Sequence, residues 1–318
     1  MNHQCPICAS KGFVIHKNVL DYYYGHEGQW DFFRCDSGSC GLVWIHPMPK
    51  SGEILNFYNN YYTHSRRGIK SKLKFLVVKI IAPIIINVNQ GWRKCFVQAI
   101  EKVYPSLVTD ALFGLGANSP FGSKSVLDIG CGNGERLSLF RHIGWLTTAG
   151  IDSDPKAVDM ARSLGRNVQV GSMVSIPYAS DSFDFIFLHH VVEHVHDIKA
   201  GLSECFRVLR VGGKIFILTP NANSRLHHHY GKYWRGLEAP RHLRIYTMAS
   251  LKQCLYEAGF VPQQLLTLDR SHKWISRQAE EVMSRLKITS TRKEISELTA
   301  SSGEELLSIA IRPKHEDK

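Results

Sequence analysis
From Ser125 onward the chain alternates short apolar runs with stretches whose apolar residues recur at helical spacing. The apolar runs are SVLDIG, TTAGID, NVQVG, DFIFL and KIFILTP. Their near-continuous apolar character is that of strands buried on both faces of a parallel sheet. Between them lie ERLSLFRHI, PKAVDMARSLG and IKAGLSECFRVLRVGG, with Gly212-Gly213 reading as the C-terminal cap of the last helix. Strand alternating with helix predicts a doubly wound α/β sheet. A helix over ASLKQCLYEAGF, a strand-like QQLLTLD, a polar helical insertion and a final strand-like ELLSIAIRPK follow.

The preceding sequence has another texture. Residues 1–62 are rich in Cys, Tyr and Trp, with short strand-like pieces and many turn residues. SRRGIKSKLKFLVVKIIAPIIINV is basic and then apolar, a helical pattern continues to about Leu112, and GLGANSPFGSK reads as a linker. Three units are expected: a cysteine module over 1–62, a helical connector and linker over 63–120, and the α/β domain over 121–318.

Composition refines this only slightly. With 44% hydrophobic and 21% charged residues the chain is that of a folded protein. A formal charge of +11 favours anionic partners, but the basic residues are dispersed. The opening MNHQCPICAS lacks a charged-then-apolar leader pattern, so a cytoplasmic location is expected. FLVVKIIAPIIINV, interrupted by Lys79 and Pro83, is too short to span a bilayer. Over 66–88 five basic residues (Arg66, Arg67, Lys70, Lys72 and Lys74) precede this run. They suit peripheral contact with an anionic leaflet. The apolar residues surround the helix, however, which favours a connector packed in protein.

VLDIGCGNG carries the most chemistry. An apolar strand ends after Asp128, and Gly130, Gly132 and Gly134 follow with Cys131 between the first two. Glycines there let the backbone turn sharply and approach a ligand. The G-x-G-x-G spacing differs from the G-x-G-x-x-G of a dinucleotide fold. A carboxylate facing the ligand suits a cationic ammonium or sulfonium compound. AGIDSDP places Asp152 and Ser153 at the end of the next strand, where an acid can accept both ribose hydroxyls.

With these residues the sequence resembles the class I S-adenosylmethionine-dependent methyltransferases over roughly Ser125 to Pro313. VLDIGCGNG resembles their first motif, Asp152 their ribose-binding acid, SIPYASDSFDFIFLHHVVEHV the run through their fourth strand and RVLRVGGKIFILTPN their fifth-strand motif. The resemblance implies a seven-stranded Rossmann-like sheet with its last strand antiparallel, and S-adenosylmethionine as methyl donor. Where the family often has an adenine-binding Asp after the third strand, Ser172 and Met173 stand here.

His190-x-x-Glu193-His194 also matches H-x-x-E-H, an inverted zinc-peptidase pattern. That pattern needs an established helix, whereas DFIFL makes His190 a strand exit. His189 and His190 are expected either to line the cofactor and acceptor site or to cap the strand end.

Cys5-Pro-Ile-Cys8 and Cys35-Asp-Ser-Gly-Ser-Cys40 are two knuckles at zinc-ribbon separation. Four thiolates predict one structural zinc ion; buried free cysteines are the alternative. The continuation CGLVWIHPMPKSGEILNFYNNYY resembles the segment after such knuckles in bacterial methyltransferases of surface-polysaccharide and small-molecule biosynthesis. In those proteins the second knuckle is commonly C-x2-C-G, shorter than here.

After the fifth strand, NANSRLHHHYGKYWRGLEAPRHLRIYT is basic and aromatic, which suits an anionic acceptor. YGKYWRGLEAPRHLRIYT resembles the family's substrate-side W…P-x-H-L segment, making His242 the candidate base, with a loop-fixing histidine as the alternative. His227-His228-His229 reads as a solvated loop. The expected function is methyl transfer to a small-molecule or glycan-precursor acceptor. An RNA methyltransferase, with no N/D-P-P-Y-type motif to support it, and a non-catalytic zinc-ribbon binding protein are the rivals.

Overall fold
The computed structural model describes residues 3–54, 57, 124–142, 147–269, 271–288 and 302–314. The connector and linker expected over 63–120, and with them the basic-apolar stretch 66–88, lie outside the described residues. Among the described residues no helix is long and apolar enough to cross a membrane.

The N-terminal elements are β1 (Gly12–Val19), β2 (Trp30–Cys35), β3 (Val43–His46) and α1 (Ser51–Ile54). Then come β4 (Ser125–Ile129), α2 (Glu135–His142), β5 (Thr147–Asp152), α3 (Pro155–Ser163), β6 (Val168–Val170) and β7 (Phe183–His189). α4 (Ile198–Val208), β8 (Leu209–Pro220), α5 (Arg225–Tyr230), β9 (Arg244–Ile245) and α6 (Met248–Glu257) follow. β10 (Val261–Leu268), α7 (His272–Arg285) and β11 (Glu305–Ile311) complete the chain.

Seven strands form the large sheet in the order β10-β11-β8-β7-β4-β5-β6. β6, β5, β4, β7 and β8 run parallel, and only the last strand, β11, is reversed against both neighbours. β4 is buried along its whole length, which is why SVLDI carries no alternation. The chain order reverses across β4, between β5 and β7, and in open α/β sheets ligands bind beyond the strand ends at such a switch point. α3 begins as its sequence dictates, with Asp154 accepting from Lys156 N and Pro155 in the first turn.

Two expectations need correction. α4 ends at Val208, and Gly212-Gly213 belongs to β8 rather than to a helix cap. Leu209 pairs with Phe183 and Lys214 with Phe185, so residues 210–213 bulge out of the ladder, and Gly212 takes the positive φ (+77°) that this bulge needs. The cysteine module is also not self-contained. Its sheet runs β1-β2-β3-β9, with Val43 and Trp44 paired to Ile245 and Arg244. Successive residues face opposite sides of a strand, yet both sides are buried here. Phe33 and Trp44 join a core containing Leu127, Ile129 and Ile186, while Phe32, Val43 and Ile45 pack with Leu226, Trp234, Leu243 and Ile275.

Candidate active site and cysteine cluster
The glycine loop follows β4 with Gly130, Gly132 and Gly134 all at positive φ. A Cβ on Gly130 would stand 2.7 Å from Val191 Cγ2, and one on Gly134 2.8 Å from Arg166 Cδ, so neither position accommodates a side chain. Gly130 N and Cys131 N donate to Ile151 O at the end of β5 (2.8 and 3.1 Å). Asp152 holds the loop in turn: its Oδ2 accepts from Gly132 N (2.7 Å) and its Oδ1 from Asp154 N (2.9 Å).

A cavity of about 870 Å³ opens from this loop across the C-terminal strand ends, near the top of the usual size range for small-molecule sites. Gly130, Asp152, Ser153, Ser172, Met173 and His189 line one end. Trp234, Gly236, Glu238, His242, Glu304 and Glu305 line the other, with His190 and His194 between them. The crowded glycine turn and the strand-end carboxylate opening into a single cavity fit an adenosyl cofactor. Asp128 departs from expectation. Its buried carboxylate lies 3.0 Å from Arg136 Nη1 and is neutralised there instead of facing a cationic ligand. Cys131 carries its side chain against Gly150, where a Cβ would come 2.7 Å from its Sγ.

H-x-x-E-H is not a helical metal motif here. His190 leaves β7 at φ +55°, and Val192–His194 is a single 3-10 turn. His190 Nδ1 donates to Glu193 Oε1 (2.9 Å) and Nε2 to Glu305 Oε1 (3.0 Å). Burial alone lowers a histidine pKa, but the two carboxylates outweigh it and hold His190 at about 9, protonated at neutral pH. Burial likewise opposes ionisation of Glu193, and the bond from His190 overrides it, setting that carboxyl at about 2. Thr219 Oγ1 donates to its other oxygen (2.9 Å). Protonated and clamped, His190 cannot accept a proton from an acceptor.

His242 is buried and donates from Nδ1 to Gly236 O (2.7 Å). Burial, reinforced by His194, lowers its pKa to about 4, so it is neutral with its lone pair on Nε2. Glu304 is the cavity carboxyl raised furthest: burial pushes it to about 7, against bonds from Ser224 Oγ (2.7 Å) and Trp234 Nε1 (3.2 Å). Glu193, His194, Glu304 and Glu305 were absent from the expected site. His194 and Glu193 carried a signal, since they form the E-H of the motif; Glu304 and Glu305, at the head of the last strand, carried none.

The basic segment after β8 does not present free cations to the cavity. Arg241 pairs with Asp21 and Glu238, Arg235 with Glu238, Arg225 with Asp269, and Arg244 Nη1 donates to Val195 O. His227, expected in a solvated loop, is buried: α5 is capped by Ser224, and the imidazole bonds Ala222 O (2.8 Å) and His16 Nε2 (2.9 Å).

The N-terminal cysteines converge. Cys5 and Cys40 Sγ are 3.7 Å apart, Cys8 and Cys35 Sγ 3.4 Å, and all four lie within 4.8 Å of one another. Four thiolates at about 2.3 Å from one tetrahedral ion require sulfur separations of about 3.8 Å. Cys40 O accepts a hydrogen bond from Thr247 Oγ1, the N-cap of α6, which joins the second knuckle to the α/β domain.

Comparison with known proteins agrees with this geometry. A family model described as a methyltransferase domain matches residues 100–265, slightly more than half of the chain. Malonyl-[acyl-carrier protein] O-methyltransferase of Serratia marcescens is 30% identical over 44% of this chain and 53% of its own. A ubiquinone biosynthesis O-methyltransferase of Thiobacillus denitrificans is 32% identical over 34% of this chain and 49% of its own. The chain thus spans about half the length of the curated relatives it matches. A provisionally named methyltransferase of Bacillus halodurans C-125 shares the fold, with 20% identity and a TM-score of 0.50 over 64% of this chain and 99% of that one. The family match, the seven-stranded sheet with its reversed last strand and the glycine loop facing Asp152 agree: the chain belongs to the class I S-adenosylmethionine-dependent methyltransferases.

Proposed function
We propose that this protein transfers a methyl group from S-adenosylmethionine to a hydroxyl of a small-molecule or glycan-precursor acceptor. One observation carries the reading: a single cavity joins the glycine loop and Asp152 to the segment bearing Trp234 and His242. The curated relatives named above are O-methyltransferases, which supports oxygen as the accepting atom. The cofactor supplies an activated methyl group, and the protein aligns the acceptor with it and excludes water. Asp152 would accept the ribose hydroxyls, the turn at Gly130 borders the cavity beside it, and Ser153, Ser172, Met173 and His189 border the same end. His190, protonated between Glu193 and Glu305, braces the cavity wall and offsets part of their negative charge. Neutral His242 is the candidate proton acceptor. With the segment's arginines engaged in internal pairs, Lys156 is, among the described residues, the remaining lysine or arginine bordering the cavity, and it stands beside Asp152 on the cofactor side.

A zinc ion held by Cys5, Cys8, Cys35 and Cys40 completes the reading. Four thiolates leave no open position, so its role is structural.

Calorimetry with S-adenosylmethionine tests the core of this. Asp152→Ala should weaken binding by about 1.5–3 kcal/mol, the loss of hydrogen bonds to a charged acceptor. Undiminished affinity would remove the cofactor-site assignment. His242→Ala should lower turnover by roughly 10²–10⁴-fold with cofactor affinity retained.

A further inference from the structure
In the wall of the same cavity, away from the glycine loop, stands a second group of metal-ligand type. One nitrogen each of His194 and His242 and a carboxylate oxygen of Glu193 lie within 4.8 Å of one another. The three come from two segments, the 3-10 turn after β7 and the loop before β9, which are stitched together by Leu243 N donating to Glu193 O (2.8 Å).

Both imidazoles are held the same way. His194 Nδ1 donates to Arg241 O (3.0 Å) and His242 Nδ1 to Gly236 O (2.7 Å). A backbone carbonyl on Nδ1 fixes the tautomer with its lone pair on Nε2, the outer arrangement that ligating histidines commonly have. The carboxylate is oriented equally firmly, by His190 Nδ1 on one oxygen and Thr219 Oγ1 on the other. His194 and His242 both border the cavity, and Glu193 is fully buried behind them.

We propose that Glu193, His194 and His242 form a binding site for one divalent transition-metal ion, which holds an oxygen-donor acceptor beside the methyl donor. The site rests on the methyltransferase reading for its role, though not for its existence. Two imidazoles and one carboxylate suit zinc, manganese, iron or cobalt better than magnesium. Ligand atoms sharing an ion at about 2.0–2.2 Å stand roughly 3–3.5 Å apart, so a pair at the 4.8 Å limit would close by about 1.3–1.8 Å. Three protein ligands leave positions open towards the cavity, unlike the closed four-thiolate cluster. A hydroxyl bound there would be acidified enough to release its proton to bulk water as it docks, and His242 would serve as ligand rather than as base. The substrate class implied is a hydroxylated small molecule whose oxygen is acidified by an ion, such as a phenol, enol or vicinal diol.

Loss of turnover in His242→Ala is common to base and ligand, so metal content has to separate them. Co2+ titrated into the full chain reports the cysteine cluster through thiolate-to-cobalt charge-transfer absorption, which nitrogen and oxygen ligands do not give. One Co2+ per chain should bind without that absorption. It should be lost in His194→Gln and in His242→Gln, while both variants keep the calorimetric heat of S-adenosylmethionine binding. Absence of any cobalt beyond that of the thiolate band in the wild-type chain would overturn the site whatever the variants do. Cobalt retained by both variants would overturn it equally. Cobalt bound by a wild-type chain that shows no heat with S-adenosylmethionine would instead remove the methyltransferase reading and leave the metal site standing.

Discussion
Removing Asp21 should damage the protein far from the cysteine module that contains it. Its carboxylate accepts from both terminal nitrogens of Arg241 (2.9 and 2.8 Å), and neither side chain is exposed. Its oxygens also accept from Tyr23, Tyr24 and His26 N, closing the turn after β1. Asp21→Ala leaves a guanidinium buried with a partial partner. Breaking a buried pair typically costs about 3–5 kcal/mol. Arg241 keeps Glu238 (3.2 Å), which lowers that cost, but the orphaned turn amides add to it. A loss of about 3–4 kcal/mol is expected, read from urea denaturation followed by circular dichroism. Asp21→Ala/Arg241→Met should lose less than the sum of the single variants, because removing the cation removes the orphaned charge. Arg241 O also holds His194 Nδ1, so turnover should fall beyond what the unfolded fraction explains. A loss below about 1 kcal/mol, or strict additivity in the cycle, would refute the argument that this pair connects module and site.

Glu304 makes stability depend on pH. Its folded pKa of about 7 lies above the ordinary carboxyl value, so the folded state binds more protons and stability falls as pH rises from about 4.5 to 7. At about 1.4 kcal/mol per unit the loss approaches 3 kcal/mol. Glu304→Gln should flatten the stability curve across that interval, and an unchanged slope would remove the assignment. Cys5→Ser should cost the cluster its metal by elemental analysis. Because the second knuckle is bonded to the cap of α6, it should also raise hydrogen exchange in Met248–Glu257; protection unchanged there would show that the cluster acts locally.

What could be read from the sequence was what is encoded within a few residues. VLDIGCGNG needs no partner to announce a strand and a sharp turn, because burial and positive φ select its residue types in place. The position of Asp152 at the end of β5 was legible for the same reason. Asp128 misled because its neutralising partner, Arg136, sits one element later and has no distinctive spacing. The arginines of the segment after β8 look like a surface for anions until their acids are known. Asp21 is 220 residues away from Arg241, and Glu238 reads as one more polar loop residue. Glu304 and Glu305 precede an apolar strand as any solvated turn would, and only the sheet order buries them against β8. The two-residue β9 leaves no periodicity to detect.

That short strand has a consequence for how the chain is made. β1, β2 and β3 are translated first, yet the strand that closes their sheet is encoded about 200 residues after β3. At roughly 5–20 residues per second, the edge of β3 waits about 10–40 s on the ribosome for Arg244 and Ile245. Throughout that interval Trp44 and Ile45 have neither of the cores that bury them, and an open apolar strand edge is a template for pairing with other nascent chains. A metal ion captured early by the four cysteines would order the two knuckles before any partner strand exists. Zinc supply during synthesis should therefore govern the yield of soluble protein more than it governs the stability of the finished fold.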